Sequence, residues 1–268
     1  MILDGQKLHY IEGGNGDPVV LVHGLGGAAQ VDWAELIPHL VRDGHHVYAM
    51  DLFGFGESAK PQDRSYSITE QAKLVEAFLD AKHLDRVALA GDSMGGWIAA
   101  TVALDQPQRI GRLILFDSAG LFFHLSFDPT LFTPQTTGQV DGLMAILMPH
   151  TPVIPDFVKQ DLIRKVKQDG WVVARALASM ETGADVLDQR FPSLKMPLLI
   201  VWGKQDVLTP LSLGEAMHHA APQSVLEIYD GCGHIANRMC ADRIAPRMAD
   251  FLDGTGPQAG ATVEVPTN

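Results

Sequence analysis

Short apolar runs, each ending abruptly in a glycine-rich or polar loop, constrain this chain more than any other feature. They are Pro18 to Val22, Val47 to Met50, Val87 to Ala90, Leu113 to Phe116 and Pro197 to Trp202, with Ser224 to Tyr229 read as the last strand. Runs this short, with no polar alternation, suit strands buried on both faces, as in parallel sheets. An earlier strand is expected over Leu8 to Glu12. Helical patterns fall between the runs. Capping-box spacing at Asp32–Glu35, Ser67–Glu70 and Ser212–Glu215 marks three helix starts. Leu74, Val75, Phe78 and Leu79 repeat at helical spacing, and a last helix is expected from about Ile235 to Leu252. Strands alternating with helices specify an α/β fold with a mostly parallel, doubly wound sheet. Ligands of such sheets bind beyond the carboxyl ends of the strands, where His23, Ser93 and Asp117 fall.

The alternation stops between Gly120 and Gln189, which hold no buried-strand run. Helices are expected there over Asp156 to Gln168 and Trp171 to Met180, with Val158, Leu162 and Val166 on one face and Val173, Leu177 and Met180 on the other. Such a segment is too small for its own deep core, so it is expected as an inserted helical cap over the sheet edge. Residues 1–119 and 190–253 then form the core, and 120–189 the cap. Residues 254–268, rich in Gly, Pro, Ala and Thr, are expected as a disordered tail. Phe122, Phe123, Phe127, Phe132, Met144 and Met148 are singly core candidates and together candidate lining for an apolar pocket.

Charge excludes several partners. Twenty Lys and Arg against 32 Asp and Glu give a net charge of −12, which repels nucleic acid and anionic membranes. Two cysteines, Cys232 and Cys240, are too few for a disulfide framework or a thiolate metal site. No metal or cofactor is expected, nor stable membrane association. The start, Met1-Ile2-Leu3-Asp4-Gly5, has neither basic nor long apolar character, and a cytoplasmic protein is expected.

The chemistry concentrates at Gly91-Asp92-Ser93-Met94-Gly95, a G-x-S-x-G between a strand and an Ala-rich helix. A serine at that turn is lifted above the sheet edge, and Met94 N–H at the helix start faces any anion formed there. A serine hydroxyl needs a base beside it; a histidine can accept its proton and return it, with a carboxylate on the other ring nitrogen. Asp206 and His234 each follow a later strand, in the order Ser, Asp, His. Asp117, also at a strand end, is the rival carboxylate. Cys232 is a thiol nucleophile on paper, but it lies away from the turn and reads as a small packed residue. His23, Asp51 and Glu57 read as loop organisers. The glycine-rich stretch after Val22 lacks both G-x-G-x-x-G and a P-loop ending, which argues against nucleotide binding.

From Leu8 to Leu252 the chain resembles the α/β-hydrolase fold superfamily. The resemblance rests on His23-Gly24-Leu25-Gly26, Asp51 to Ser58, Gly91 to Gly95, Gly203 to Asp206 and Gly233-His234. Ser93 to Trp97 and the helical cap are similar to the serine esterase/lipase branch and to the hydrolases of meta-cleavage products. The resemblance implies Ser93 as nucleophile, Asp206 as acid, His234 as base, and the N–H groups of Leu25 and Met94 as the oxyanion hole. Asp92 stands where both branches often have Asn. The expected activity is hydrolysis of small carboxylic esters of short to medium acyl chains through an acyl-serine. The alternative is C–C bond hydrolysis of dienoic diketo acids, whose carboxylates call for cations. Lys159, Arg164, Lys165, Lys167, Arg175 and Arg190 are the cap's supply. A non-catalytic ligand receptor on the same fold is the reading from another class.

Overall fold

Each apolar run becomes a strand, and alternate residues along it feed opposite layers of core. A computed structural model describes residues 1–150 and 152–267. A small hairpin, β1 (Ile2–Leu3) with β2 (Gln6–Lys7), precedes the main sheet. Then come β3 (Tyr10–Gly13), β4 (Pro18–Val22), α1 (Ala29–Asp32), α2 (Leu36–Arg42), β5 (His46–Met50), α3 (Ile68–Ala81), β6 (Val87–Asp92), α4 (Met94–Asp105) and β7 (Ile110–Phe116). After two further helices, α5 (Thr137–Leu147) and α6 (Asp156–Glu181), the alternation resumes with β8 (Leu198–Gly203), α7 (Leu211–Ala220) and β9 (Ser224–Tyr229). The chain closes with α8 (Ala236–Met239), α9 (Ala241–Asp253) and β10 (Thr262–Val265).

The eight-stranded sheet runs β10-β9-β8-β7-β6-β4-β5-β3, with every pair parallel except β3–β5. Val20, Val22, Leu89, Leu113, Leu115, Leu198 and Ile200 join the core under α3, α4 and α7. Their neighbours Val19, Leu21, Ala90, Ile114, Phe116, Leu199 and Val201 join the core under α2 and α9. The period of two thus fills both faces, which is the doubly wound arrangement. α4 lies centrally: its residues from Met94 to Ala103 are all buried, so it has no polar face.

Several expectations need correction. The tail is ordered over β10, which pairs in parallel with β9 from Thr262↔Leu226 to Val265↔Tyr229. Thr-Val-Glu-Val is β-branched and alternating, and β9 offers it an open edge. The two helices expected after Pro155 are one, α6, because a glycine inside a helix costs only about 1 kcal/mol. Gly170 is buried, and a Cβ there would meet Val166 Cγ1 of the same helix at 3.0 Å. Asp32 does not cap a helix; it ends α1, and its carboxylate accepts Gly24 N–H at 3.1 Å. Ser212 lies inside α7, which starts after Pro210. Ser67 does cap α3, accepting Glu70 N–H at 3.1 Å. Finally, Cys232 is half of a disulfide with Cys240, the residue that separates α8 from α9. Their Cα atoms lie 6.4 Å apart, and the Arg243 guanidinium donates to both sulfurs. No described helix is long and apolar enough to cross a membrane.

Candidate active site

Ser93 occupies the turn from β6 into α4 at φ 53° and ψ −115°, a left-handed conformation that costs a non-glycine residue about 1–3 kcal/mol. The surroundings hold it there. Its N–H donates to Phe116 O at 2.9 Å, and its carbonyl accepts Gly96 N–H at 3.0 Å and Ala119 N–H at 3.2 Å. The flanking glycines are steric necessities: a Cβ on Gly91 would stand 2.1 Å from Gly95 O, and one on Gly95 would stand 2.2 Å from Val22 O. This is why the serine needs glycine two residues away on either side.

His234 follows β9, and its Nε2 lies 2.8 Å from Ser93 Oγ. Its Nδ1 lies 2.8 Å from Asp206 Oδ2, and because a carboxylate accepts, Nδ1 carries the hydrogen and Nε2 remains free to take one. Asp206 follows β8 and is fixed in its own turn: Oδ1 accepts Leu208 N–H at 2.8 Å and Thr209 N–H at 3.0 Å. Thr209 Oγ1 sits 2.7 Å from Asp206 Oδ2 and 3.0 Å from His234 Nδ1, a fourth member that sequence reading missed. Burial works to lower the His234 pKa, but the charge and hydrogen bond of Asp206 outweigh it and hold the imidazole above its ordinary value. Backbone contact reaches His234 from the helical segment as well, since its N–H donates to Leu147 O at 3.0 Å.

Asp117, the rival carboxylate, is placed elsewhere. Fully buried, it accepts Gly203 N–H at 2.7 Å and Ala236 N–H at 3.1 Å, tying the end of β8 to the start of α8. Burial first, then the nearby Asp206, push it well above the usual carboxylate range. His23 organises its loop as expected: Nδ1–H donates to Gly24 O at 2.7 Å, and Nε2 accepts Leu52 N–H at 3.0 Å. Asp51 accepts from Ala29 N–H and Glu57 N–H, which offsets its burial and leaves it below its ordinary value. Among the described residues, neither Leu25 N–H nor Met94 N–H donates to another group, and both residues border the cavity at Ser93.

That cavity has two chambers. The larger, about 460 Å³, is lined by Phe122, Phe123, Phe127, Trp97, Met180 and Met94. The smaller, about 270 Å³, is bordered by Gly24, Asp32, Asp92, His234, Lys165 and Arg238. Ser93, Leu25, Phe132 and Leu208 belong to both. Of the aromatic and Met candidates, Met144 lines the smaller chamber and Met148 lines neither. Of the six cations expected to serve a carboxylate substrate, only Lys165 reaches a chamber. Lys159, Arg164 and Arg190 pair with acidic side chains, and Arg175 donates to Gln62 and Arg64 carbonyls. Arg238 was not anticipated; its only sequence signal is its place four residues after His234.

Asp92 is 3% exposed, borders the smaller chamber, and its Oδ1 has no hydrogen-bond partner. Burial, reinforced by Asp32, drives its pKa well up. Asp32 is also raised by burial, against the pull of His23 and Gly24 N–H. Among the described residues, no group of acidic, histidine or cysteine side chains has the spacing to hold a metal ion.

Comparison with known proteins agrees with this architecture. The family model described as alpha/beta hydrolase fold matches residues 17–150, and one described as TAP-like protein matches residues 170–262. The chain belongs to the α/β-hydrolase fold family. It is similar to Lipase 1 of Psychrobacter immobilis, with 27% identity over 93% of this chain and 82% of that protein. It is also similar to 2-hydroxy-6-oxo-2,4-heptadienoate hydrolase of Pseudomonas putida, with 29% identity over 87% of this chain and 88% of the other. Among solved structures, a membrane phospholipase A described as a bacterial virulence factor superposes with a TM-score of 0.86. It is 28% identical, over 95% of this chain and 85% of that one.

Proposed function

We propose that the protein is a serine hydrolase of small carboxylic esters, working through an acyl-serine. The observation that carries this reading is the run from Ser93 Oγ through His234 to Asp206 Oδ2, with 2.8 Å at each step. In the proposed reaction, His234 Nε2 takes the Ser93 proton as Oγ attacks the ester carbonyl. The resulting oxyanion sits between the uncommitted N–H groups of Leu25 and Met94. Collapse breaks the acyl C–O bond, and His234 returns the proton to the departing alcohol. A water activated by the same imidazole then releases the acid and frees Ser93. The helical segment between β7 and β8 acts as a cap that supplies the chamber walls.

Ser93→Ala tests the chemistry. Ester turnover is expected to fall on the order of 10⁴-fold or more with unchanged thermal stability. A fluorophosphonate probe should label only the native chain; labelling of another serine in the variant overturns the assignment. The second reading, C–C bond hydrolysis, is favoured by the cations of the smaller chamber and by relatives such as the heptadienoate hydrolase. Rapid cleavage of a ring-fission product with negligible turnover of p-nitrophenyl esters would select it.

A further inference from the structure

The two chambers differ in which reacting groups they touch. His234 borders only the smaller one, and Met94 only the larger. In acyl transfer the group that protonates the leaving oxygen must stand on the leaving group's side. The smaller chamber is therefore the place for the alcohol half of an ester, and the aromatic chamber the place for its acyl half.

We propose that this alcohol half carries an anion, a carboxylate or a phosphate, bound by Arg238 and Lys165 in the smaller chamber. The inference rests on the acyl-serine reading and adds the class of substrate. Neither cation has a hydrogen-bond or ion-pair partner among the described residues, unlike Lys159, Arg164 and Arg190. Lys60, the chamber's other cation, is committed: it donates to Gly56 O at 3.0 Å and lies 3.9 Å from Asp169. That leaves Asp32 and Asp92 as the acidic groups to weigh. The carboxyl of Asp32 already accepts Gly24 N–H, and burial raises the pKa of both against the attraction of Arg238.

Asp92 supplies an independent observation. A side chain 3% exposed, bordering the chamber with one oxygen unpartnered, is out of keeping with a finished interior. Burial favours its protonated form, and a carboxylic acid has an O–H to donate. A guest oxygen would give that hydrogen an acceptor. Guanidinium, ammonium and carboxyl O–H on one chamber are the donor set for an anionic oxygen cluster.

In the balanced step, the Ser93 Oγ–acyl bond forms as the acyl–alcohol C–O bond breaks. The proton lent to His234 passes to the alcohol oxygen, and water later restores the serine. No further reactant is required.

Four butyrate esters test the idea by acid release at low ionic strength. Two have anionic alcohols, glycolate and 2-phosphoethanol; two have their neutral matches, glycolamide and ethylene glycol. One anionic ester should exceed its neutral match by about tenfold or more in kcat/KM, as charge-assisted hydrogen bonds warrant. Whichever pair shows the preference separates carboxylate from phosphate. Arg238→Gln and Lys165→Gln should each reduce that ratio by about threefold, and the double variant should bring it near unity. Lys167→Gln, on the same helix but outside the chamber, should leave it unchanged. Equal or faster turnover of the neutral esters by the native chain overturns the proposal, as does a ratio that survives both substitutions. Absence of turnover on all four esters overturns the hydrolase reading instead.

Discussion

The sheet and the helical segment that covers its edge are built under opposite constraints. Every residue of β6, β8 and β9 is buried, whereas α6 buries only Ile163, Gly170, Val172 and Ala176 along 26 residues. Ser93, Asp206 and His234 all follow strands of the first kind. Phe122 is 60% exposed and belongs to the second region. Close packing transmits any change of volume, so the strand ends fix the groups of the hydrogen-bonded run in place. A half-exposed helix can change its side chains at little cost in stability. On this comparison, substitutions at strand ends should alter the chemistry, and substitutions in the helical segment should alter which substrate is taken.

The largest effect tests the first half. Asp206→Asn should lower kcat on the order of 10³–10⁴-fold, because the imidazole loses the acceptor that fixes its tautomer. Asp117→Asn should leave kcat within about tenfold and cost stability, since its carboxylate serves buried backbone donors. The pH profile adds a sign. His234 must be neutral to accept a proton, and Asp206 holds its pKa above the ordinary value. Activity should therefore fall as pH drops through a limb above about 6.5. In Asp206→Asn that limb should move down, because burial is then the stronger influence. An unmoved limb would detach Asp206 from His234.

A middle-sized effect tests the other half. With p-nitrophenyl esters, kcat/KM should rise about fourfold for each added CH₂ until the aromatic chamber is full, then fall. Phe123→Ala should move the optimum to a longer chain without moving the acid limb. If both move together, the two regions are not separable in the way their burial suggests.

The smallest effect on turnover is expected from the disulfide. Replacing both Cys232 and Cys240 by Ser should cost about 2.5 kcal/mol of stability, the entropy of so short a loop, and change kcat by about threefold or less. Urea unfolding of the native and double-Ser chains checks the first figure.

The strands were legible because burial on both faces leaves an uninterrupted apolar run, and the elbow because close backbone approach admits only glycine at Gly91 and Gly95. Asp206 and His234 were legible from their order after strands. What escaped was decided by long-range contact. Asp32 has the spacing of a helix cap, yet a distant backbone N–H claims its carboxylate. Gly170 reads locally as a break, yet α6 runs through it with the glycine buried. Thr262 to Val265 form a strand because β9 presents an edge, which no local window reveals. The chamber assignments of Lys165 and Arg238 depend on where two segments meet in space.

Cys232 and Cys240 close a covalent ring, and that ring contains both His234 and Arg238. In effect a small cyclic peptide is set into the sheet edge, with the proposed proton carrier and the proposed anion reader on one hoop. Cyclisation limits the shapes such a loop can sample before a guest arrives. The proposed recognition of the leaving group and the proposed delivery of its proton thus share one constrained loop.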